Sequence, residues 1–295
     1  MINIKKAYGW MLSAITKIAG INTAKKIDSK LRFNKTLNLN NPETLADKVS
    51  FIELHEQSPL APMCSDKAEV RNYVSQHGFQ DILIPLVMKP VDTVEQIDFD
   101  QLPETFILKA THGCRMNYVV KDKSLLNENE CKKIMKKWLN TNYGTYSIEP
   151  HYLNIPPRVY AEQYIEDLNG LIDYKFHCLN GKPEFCLVCS GRNDKKGESM
   201  EVLLSLFDMQ WNFINEIVDY KNERKGPSDI PKPVNFIKMK EISTRLSQDF
   251  KFVRIDLYEY EGKILFGEMT FSPACCAFPY FSKEFDLEMG RKLKL

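Results

Sequence analysis

The sequence predicts an α+β fold with antiparallel sheets, and three observations point to it. In the stretch 253–273, VRIDLYEYEGKILFGEMTFSP, two strand-like runs flank Glu261 and Gly262, a connector of hairpin type. A second hairpin signal lies upstream, where DYKFHCL runs into Asn180 and Gly181 and PEFCLVC returns. Helical periods fill 41–57, 127–139 and 236–249, apart from the strands.

The leader MINIKKAYGWMLSAITKIAG has a basic start and an apolar stretch that Lys17 interrupts, with no small-residue cleavage site after it. It is too short to span a bilayer and reads as an amphipathic helix. Lys5, Lys6, Lys17, Lys25, Lys26 and Lys30 leave peripheral membrane contact as the most it offers a membrane. In the next helix Asn41 is a candidate N-cap with Pro42 in the first turn. A second helix over 66–76 precedes the strand-like ILIPLV. A strand over 106–108 ends at Lys109, and Thr111, His112 and Gly113 turn the chain into a strand over 118–120. The 127–139 helix turns Leu126, Ile134 and Trp138 inward, and 159–161 is a buried strand. Residues 194–198, DKKGE, form a solvated loop, and LLSLFDMQWNFI reads as strand and turn. A linker rich in charge and proline covers 221–233, and 285–295 is a closing helix.

A chain of 295 residues, 43% hydrophobic and 27% charged, has the composition of a soluble globular protein with a substantial core. Forty basic against thirty-nine acidic residues give +1, so no bulk field draws the chain to nucleic acid or membrane, and any bound anion needs a local cluster. Of the eight cysteines only Cys186 and Cys189 show C-x-x-C spacing, inside an apolar run without a second pair. Buried free thiols are the default reading, and they suit a reducing cytoplasm.

The central hairpin carries the clearest chemistry. Val253, Ile255 and Leu257 alternate with Arg254, Asp256 and Tyr258, so one face is apolar and the other presents Arg254 beside Asp256. Glu268 and Thr270 share a face of the returning strand. Closure at Glu261 and Gly262 sets Asp256 and Glu268 roughly opposite each other, and a hard cation such as Mg²⁺ relieves their repulsion. The same alternation also fits a solvated hairpin face, and spacing does not choose between the two.

R-x-D on one strand followed by E-x-(N or T) on the next resembles the pattern that closes the active site of ATP-grasp ligases. The phrase VRIDLYEYEGKILFGEMTF most resembles the TupA-like branch, linked to teichuronopeptide and other bacterial surface-polysaccharide synthesis. The resemblance starts near Asn38, with an NPxTxxxK phrase, and runs to the C-terminus. It implies an ATP-grasp fold in which two lobes with antiparallel sheets hold the nucleotide. The leader is then 1–37, the N-terminal and small lobe 38–160, and the C-terminal lobe with the metal hairpin 161–295. By the same resemblance Lys67 and Lys109 meet phosphates, and Thr111, His112 and Gly113 complete the cradle. Glu162, Gln163, Tyr164 and Ile165 form the stretch whose backbone reads adenine. Asp173 meets the ribose, Lys175 the terminal phosphate or acceptor, and Arg192 an anionic substrate. Asp256 and Glu268 hold Mg²⁺ with help from Thr270, and Arg254 stabilises the developing oxyanion. Relatives usually read THGSGGN and YPGSGF where this chain has THGCRMN and SPACCAF, with bulkier residues replacing glycines.

The implied reaction is ATP-dependent carboxylate–amine ligation through an acylphosphate. Its substrates would be nucleotide and a small molecule or glycan precursor, with an amino acid or a uronic acid of a capsule or O-antigen precursor as acceptor. Two rivals stay open. Sugar transfer would also use a metal between carboxylates, though no DxD motif accompanies it. A non-catalytic nucleotide-binding assembly protein would explain the two altered loops.

Overall fold

The computed structural model describes residues 4–144, 148–165, 171–191 and 201–295. Arg192 and the 194–198 loop lie outside the described residues. The described helices, in chain order, are α1 (Ile4–Ala19), α2 (Ile21–Phe33), α3 (Leu45–His55), α4 (Ala61–Ser65), α5 (Val70–Gln76), α6 (Glu128–Leu139), α7 (Phe236–Ser247) and α8 (Lys283–Lys292). The strands of one sheet are β1 (Leu86–Val91), β2 (Phe106–Ala110), β3 (Asn117–Val120) and β4 (Val159–Gln163). Those of the other are β5 (Asp173–Leu179), β6 (Lys182–Ser190), β7 (Val202–Asp208), β8 (Phe213–Ile214), β9 (Glu223–Lys225), β10 (Phe252–Tyr260) and β11 (Lys263–Thr270).

Two compact units result. One is Leu60–Glu166; the other joins Met1–Pro59 to Asp167–Leu295. The division differs from boundaries at 37 and 160 because the leader and α3 pack with the second unit. There Asp286 of α8 accepts the Ala46 amide of α3 at 2.9 Å and pairs with Lys35, while Lys48 Nζ donates to the Leu293 carbonyl at 2.7 Å.

In the Leu60–Glu166 unit the antiparallel sheet runs β1-β4-β2-β3. Phe106 and Leu108 of β2 and Val159 and Ala161 of β4 face a core closed by Cys131 and Met135 of α6. Leu126, Ile134 and Trp138 pack against that core as expected, half-buried beside the fully buried Cys131 and Met135. The expected helix over 66–76 is broken. Asp66 is extended (φ −70°, ψ 116°), and its carboxylate accepts the Ala68 and Glu69 amides at 2.8 and 3.0 Å. An aspartate that bonds the backbone ahead of it favours a turn over a continuing helix. Likewise ILIPLV is not one strand: Gln80–Ile82 is a 3-10 turn, and β1 starts at Leu86 after Pro85. As an edge strand β1 tolerates Pro90, which has no N–H to donate.

In the other unit the sheet runs β11-β10-β5-β6-β7-β8, with β9 parallel to β7. The turn at Asn180 and Gly181 has φ of 52° and 77°, and Glu261 and Gly262 have 49° and 73°. Two consecutive left-handed residues close a two-residue hairpin with the strand twist, which is why these dipeptides read as turns. α3 begins one turn later than Asn41 predicts. Thr44 is its cap, accepting the Asp47 amide at 3.1 Å while Asp47 accepts that of Thr44 at 3.2 Å. α7 covers the sheet with Phe236, Met239, Ile242 and Leu246 buried.

Candidate functional site

Strand register builds the site. Asp173, Lys175 and His177 are every second residue of β5 and stand opposite Tyr258, Asp256 and Arg254 of β10. On the other side of β10, Arg254 faces Thr270 and Asp256 faces Glu268. The side-chain period of two therefore gathers Asp173, Lys175, His177, Arg254, Asp256, Glu268 and Thr270 on one face. A register shift follows Asp256, where Gly267 is the extra residue. A Cβ on Gly267 would stand 3.0 Å from the Asp256 carbonyl oxygen, so glycine lets the bulged strand approach this closely.

Arg254 organises the face. It grips Asp256 through two bonds of 2.6 Å, Nε to Oδ1 and Nη2 to Oδ2. Its Nη2 also reaches Glu268 Oε1 and Thr270 Oγ1, each at 3.0 Å. Thr270 donates its hydroxyl to the same Glu268 oxygen at 2.9 Å. Lys175 pairs with Asp256 Oδ2 and lies 2.6 Å from Asp173 Oδ2. Asp173, Lys175, Arg254 and Asp256 are all buried, whereas the Glu268 side chain is 37% exposed. Three carboxylates against Lys175 and Arg254 leave a formal charge of −1. Burial opposes the charge on Lys175, but Asp173 and Asp256 outweigh it and hold its pKa above the ordinary lysine value. Arg254 is held above its ordinary value against the same opposition, by Asp256 first and Glu268 next.

His177, which the sequence reading passed over, sits in the same row. It is fully buried, stacked on Phe185 at 4.5 Å, with Nδ1 3.1 Å from the Lys175 carbonyl oxygen. Burial and then the Arg254 charge push its pKa well below 6.5. A group whose folded pKa is depressed stays neutral while the unfolded chain takes a proton, so stability should fall as pH drops below about 6.5. The slope is at most about 1.4 kcal/mol per pH unit, and His177→Gln should reduce it; denaturant midpoints measured against pH check this.

In the Leu60–Glu166 unit, Lys109 leaves β2 opposite Asn117 and pairs with Glu162 of β4, whose other oxygen is 3.5 Å from Arg71 Nη1. Glu162 thus holds a lysine–arginine pair with its side chain, a role that spacing did not disclose. The Gln163 amide donates to the Pro85 carbonyl at 3.0 Å. Gln163 is exposed, Tyr164 and Ile165 half-buried, and Lys121 Nζ stands 5.9 Å from the Tyr164 ring centroid. Lys67 lies between α4 and α5, its amide bonded to the Thr111 carbonyl at 3.1 Å.

Thr111, His112 and Gly113 are buried and braced by internal bonds. Thr111 donates its amide to the Arg158 carbonyl and its hydroxyl to that of Pro156, both at 3.0 Å. His112 Nε2 is 3.1 Å from the Trp138 carbonyl oxygen, and burial lowers its pKa. A Cβ on Gly113 would lie 2.5 Å from Met116 Cε and 2.8 Å from the Tyr143 ring. These residues shape the loop rather than lie open on it, because Met116 turns inward while Arg115 takes φ 59°. Arg158, also unforeseen, ties the brace down through Asp66 and Glu69 at 2.9 and 3.0 Å. The second altered loop is strained too: Ala274, Cys275 and Cys276 take φ of 48°, 54° and 66°.

No curated protein matches the chain in sequence. Among solved structures it is similar to D-alanine–D-alanine ligase from Bacillus anthracis complexed with ATP, at 14% identity and TM-score 0.40, over 72% of this chain and 56% of that one. It is also similar to D-alanine–D-alanine ligase from Helicobacter pylori, at 16% identity and TM-score 0.44, over 84% and 69% of the two chains. A third is the L-amino acid ligase from Bacillus licheniformis, at 15% identity and TM-score 0.47, over 84% and 53%. The chain thus spans little more than half the length of the first and third of these. The family model described as TupA-like ATPgrasp matches residues 47–294, and the chain belongs to that family, with the ATP-grasp fold.

Proposed function

We propose that the protein is an ATP-dependent carboxylate–amine ligase that joins an amine or amino acid to a uronic acid of a bacterial surface-polysaccharide precursor. The observation that carries the reading is the buried ionic face of β5, β10 and β11, set within a chain of the TupA-like ATPgrasp family. The substrate carboxylate takes the γ-phosphoryl group of ATP, releasing ADP. The amine then attacks the acyl carbon, loses a proton, and phosphate departs as the amide forms.

The donor set fits Mg²⁺. Its atoms are hard carboxylate oxygens in a cluster whose net formal charge is −1, and Asp256 and Glu268 would hold the ion. When bound, Mg²⁺ would neutralise phosphate charge. Thr270 spends its hydroxyl on Glu268 and so orients that carboxylate. Arg254 sets the positions of Asp256 and Glu268 and offers positive charge to a developing oxyanion. Lys175 holds Asp256 and Asp173 apart in charge, and Lys109, poised by Glu162, neutralises phosphate. Lys67 as a phosphate contact, Asp173 at the ribose, Tyr164 and Ile165 beside adenine, and Arg192 at an anionic substrate complete the proposal. The free cysteines support a cytoplasmic setting.

One observation favours a second reading, a nucleotide-binding protein without turnover: both altered loops hold non-glycine residues in the left-handed region. ATP binding with Mg²⁺, followed by thermal shift and ADP release, tests both. A ligand at 100 times its Kd stabilises by about 2.7 kcal/mol, and Lys109→Ala should lose that shift. ADP release with a uronate and an amine, abolished in Asp256→Asn, supports the ligase; a shift without ADP supports the second reading. UDP release from a nucleotide sugar, or a folded protein with no shift from ATP, overturns the proposal.

A further inference from the structure

The outer face of α1 is apolar where a helix of a globular protein is usually polar. Trp10 is 67% exposed, Met11 37% and Ile18 87%, and Ala7 and Ala14 are exposed with them. Steps of three and four residues place these side chains within one stripe of the helix, and the buried Leu12 and Gly9 lie on the opposite side. α1 already packs through its other face, where Tyr8 donates to Asp28 of α2 at 2.8 Å.

Charge is distributed to match. Residues 1–35 hold eight lysines and arginines against Asp28 alone, a charge of +7, and the remaining 32 basic and 38 acidic residues carry −6. The near-neutral total therefore hides two opposite fields. Lys25, Arg32 and Lys35 are used internally, by Glu53, Asp28 and Asp286. Among the described residues Lys17, Lys26 and Lys30 make no ion pair; Lys17 borders the stripe on α1, and Lys30 is exposed beside Leu31, itself 61% exposed.

We propose that the α1–α2 leader is a membrane-docking surface, with α1 lying in the interface of an anionic bilayer. Trp10, Met11 and Ile18 enter the boundary of headgroups and acyl chains, and the lysines meet anionic headgroups. A tryptophan at the edge of an exposed apolar stripe, on the side that Lys17 borders, suits that boundary. No described helix is long and apolar enough to cross a membrane, so the contact is a surface one.

The test is co-sedimentation of the full chain with vesicles of phosphatidylcholine alone and of phosphatidylcholine mixed with phosphatidylglycerol. Binding is expected with the mixed vesicles only, and raised salt should weaken it. Trp10→Glu and Ile18→Glu should abolish it with an unchanged unfolding midpoint, since both side chains face solvent. Lys17→Glu should weaken binding by roughly fivefold or more, and this exposed position carries the test if an apolar-stripe variant fails to fold. No binding, or equal binding to neutral vesicles, overturns the proposal. So does a concentration-dependent dimer in light scattering that Trp10→Glu converts to monomer, because the stripe would then cover a second copy of this chain.

Discussion

Arg254→Ala is expected to destabilise the protein by about 3–5 kcal/mol, the range for removing one member of a buried ion pair. The guanidinium supplies both strong bonds to Asp256 and single bonds to Glu268 and Thr270. Without it, Asp256 keeps only Lys175, which Asp173 also holds, and the charge of the face passes from −1 to −2 in a site where Asp256 is 1% exposed. Repulsion between carboxylates this close is weakly screened. Arg254→Lys keeps the charge but loses the two-pronged grip on Asp256, so it should recover part of the stability and little of the geometry. Under the proposed function both variants lose turnover, by about 10²–10³-fold if the oxyanion role is right. Added Mg²⁺ should recover part of the stability lost in Arg254→Ala. Denaturant unfolding with and without Mg²⁺, beside ADP release, measures all of this. A loss in Arg254→Ala below about 1 kcal/mol would mean that solvent reaches the cluster and screens it.

Gly290→Ala is the second large effect expected. A methyl group there would stand 2.1 Å from the Glu43 carbonyl oxygen and 2.6 Å from the Thr44 carbonyl carbon. Both neighbours are backbone, so no side chain can swing aside, and α8 must move away from the start of α3. The movement would strain the Asp286 bond to the Ala46 amide and the Lys48 bond to the Leu293 carbonyl. Overpacking costs about 1–3 kcal/mol, and each strained bond adds about 1 kcal/mol, so a total of at least about 3 kcal/mol is expected. Glu288→Ala, on the exposed side of the same helix, should stay within about 0.5 kcal/mol. Guanidinium midpoints of the two variants separate close packing from helix propensity.

The hairpins were legible in the sequence because their turns need residues that accept a positive φ, as Asn180, Gly181 and Gly262 do. Closure at Glu261 and Gly262 brought Asp256 and Glu268 near each other, but the turn alone would set Asp256 opposite Gly267; the bulge at Gly267, which spacing does not disclose, moves the register by one and puts Glu268 opposite Asp256. Partners across β5 were not legible, because nothing local says that β5 lies beside β10, and so the contact of Lys175 with Asp256 could not be read. Spacing also gives no burial. Thr111, His112 and Gly113 look like an open turn and are a packed brace, and Glu162 looks like part of an extended edge and is the carboxylate that holds Lys109. Helix starts depended on which of several cap-forming residues finds its reciprocal partner. Asn41 has none three residues on, whereas Thr44 has Asp47.

The unit that carries the ionic face is assembled from the two ends of the chain, with Leu60–Glu166 inserted between them. Its closing contacts join residues far apart in sequence: Lys35 and Ala46 to Asp286, and Lys48 to Leu293. A ribosome therefore delivers the inserted segment whole while the surrounding unit still lacks its last strands and helix. The insert is able to fold first, on local strand pairings, while α3 waits for α8. Until then the apolar residues that α8 covers, Leu45 and Val49 of α3 among them, stand open to water. Translation order thus makes the first 59 residues the segment most in need of protection from premature association.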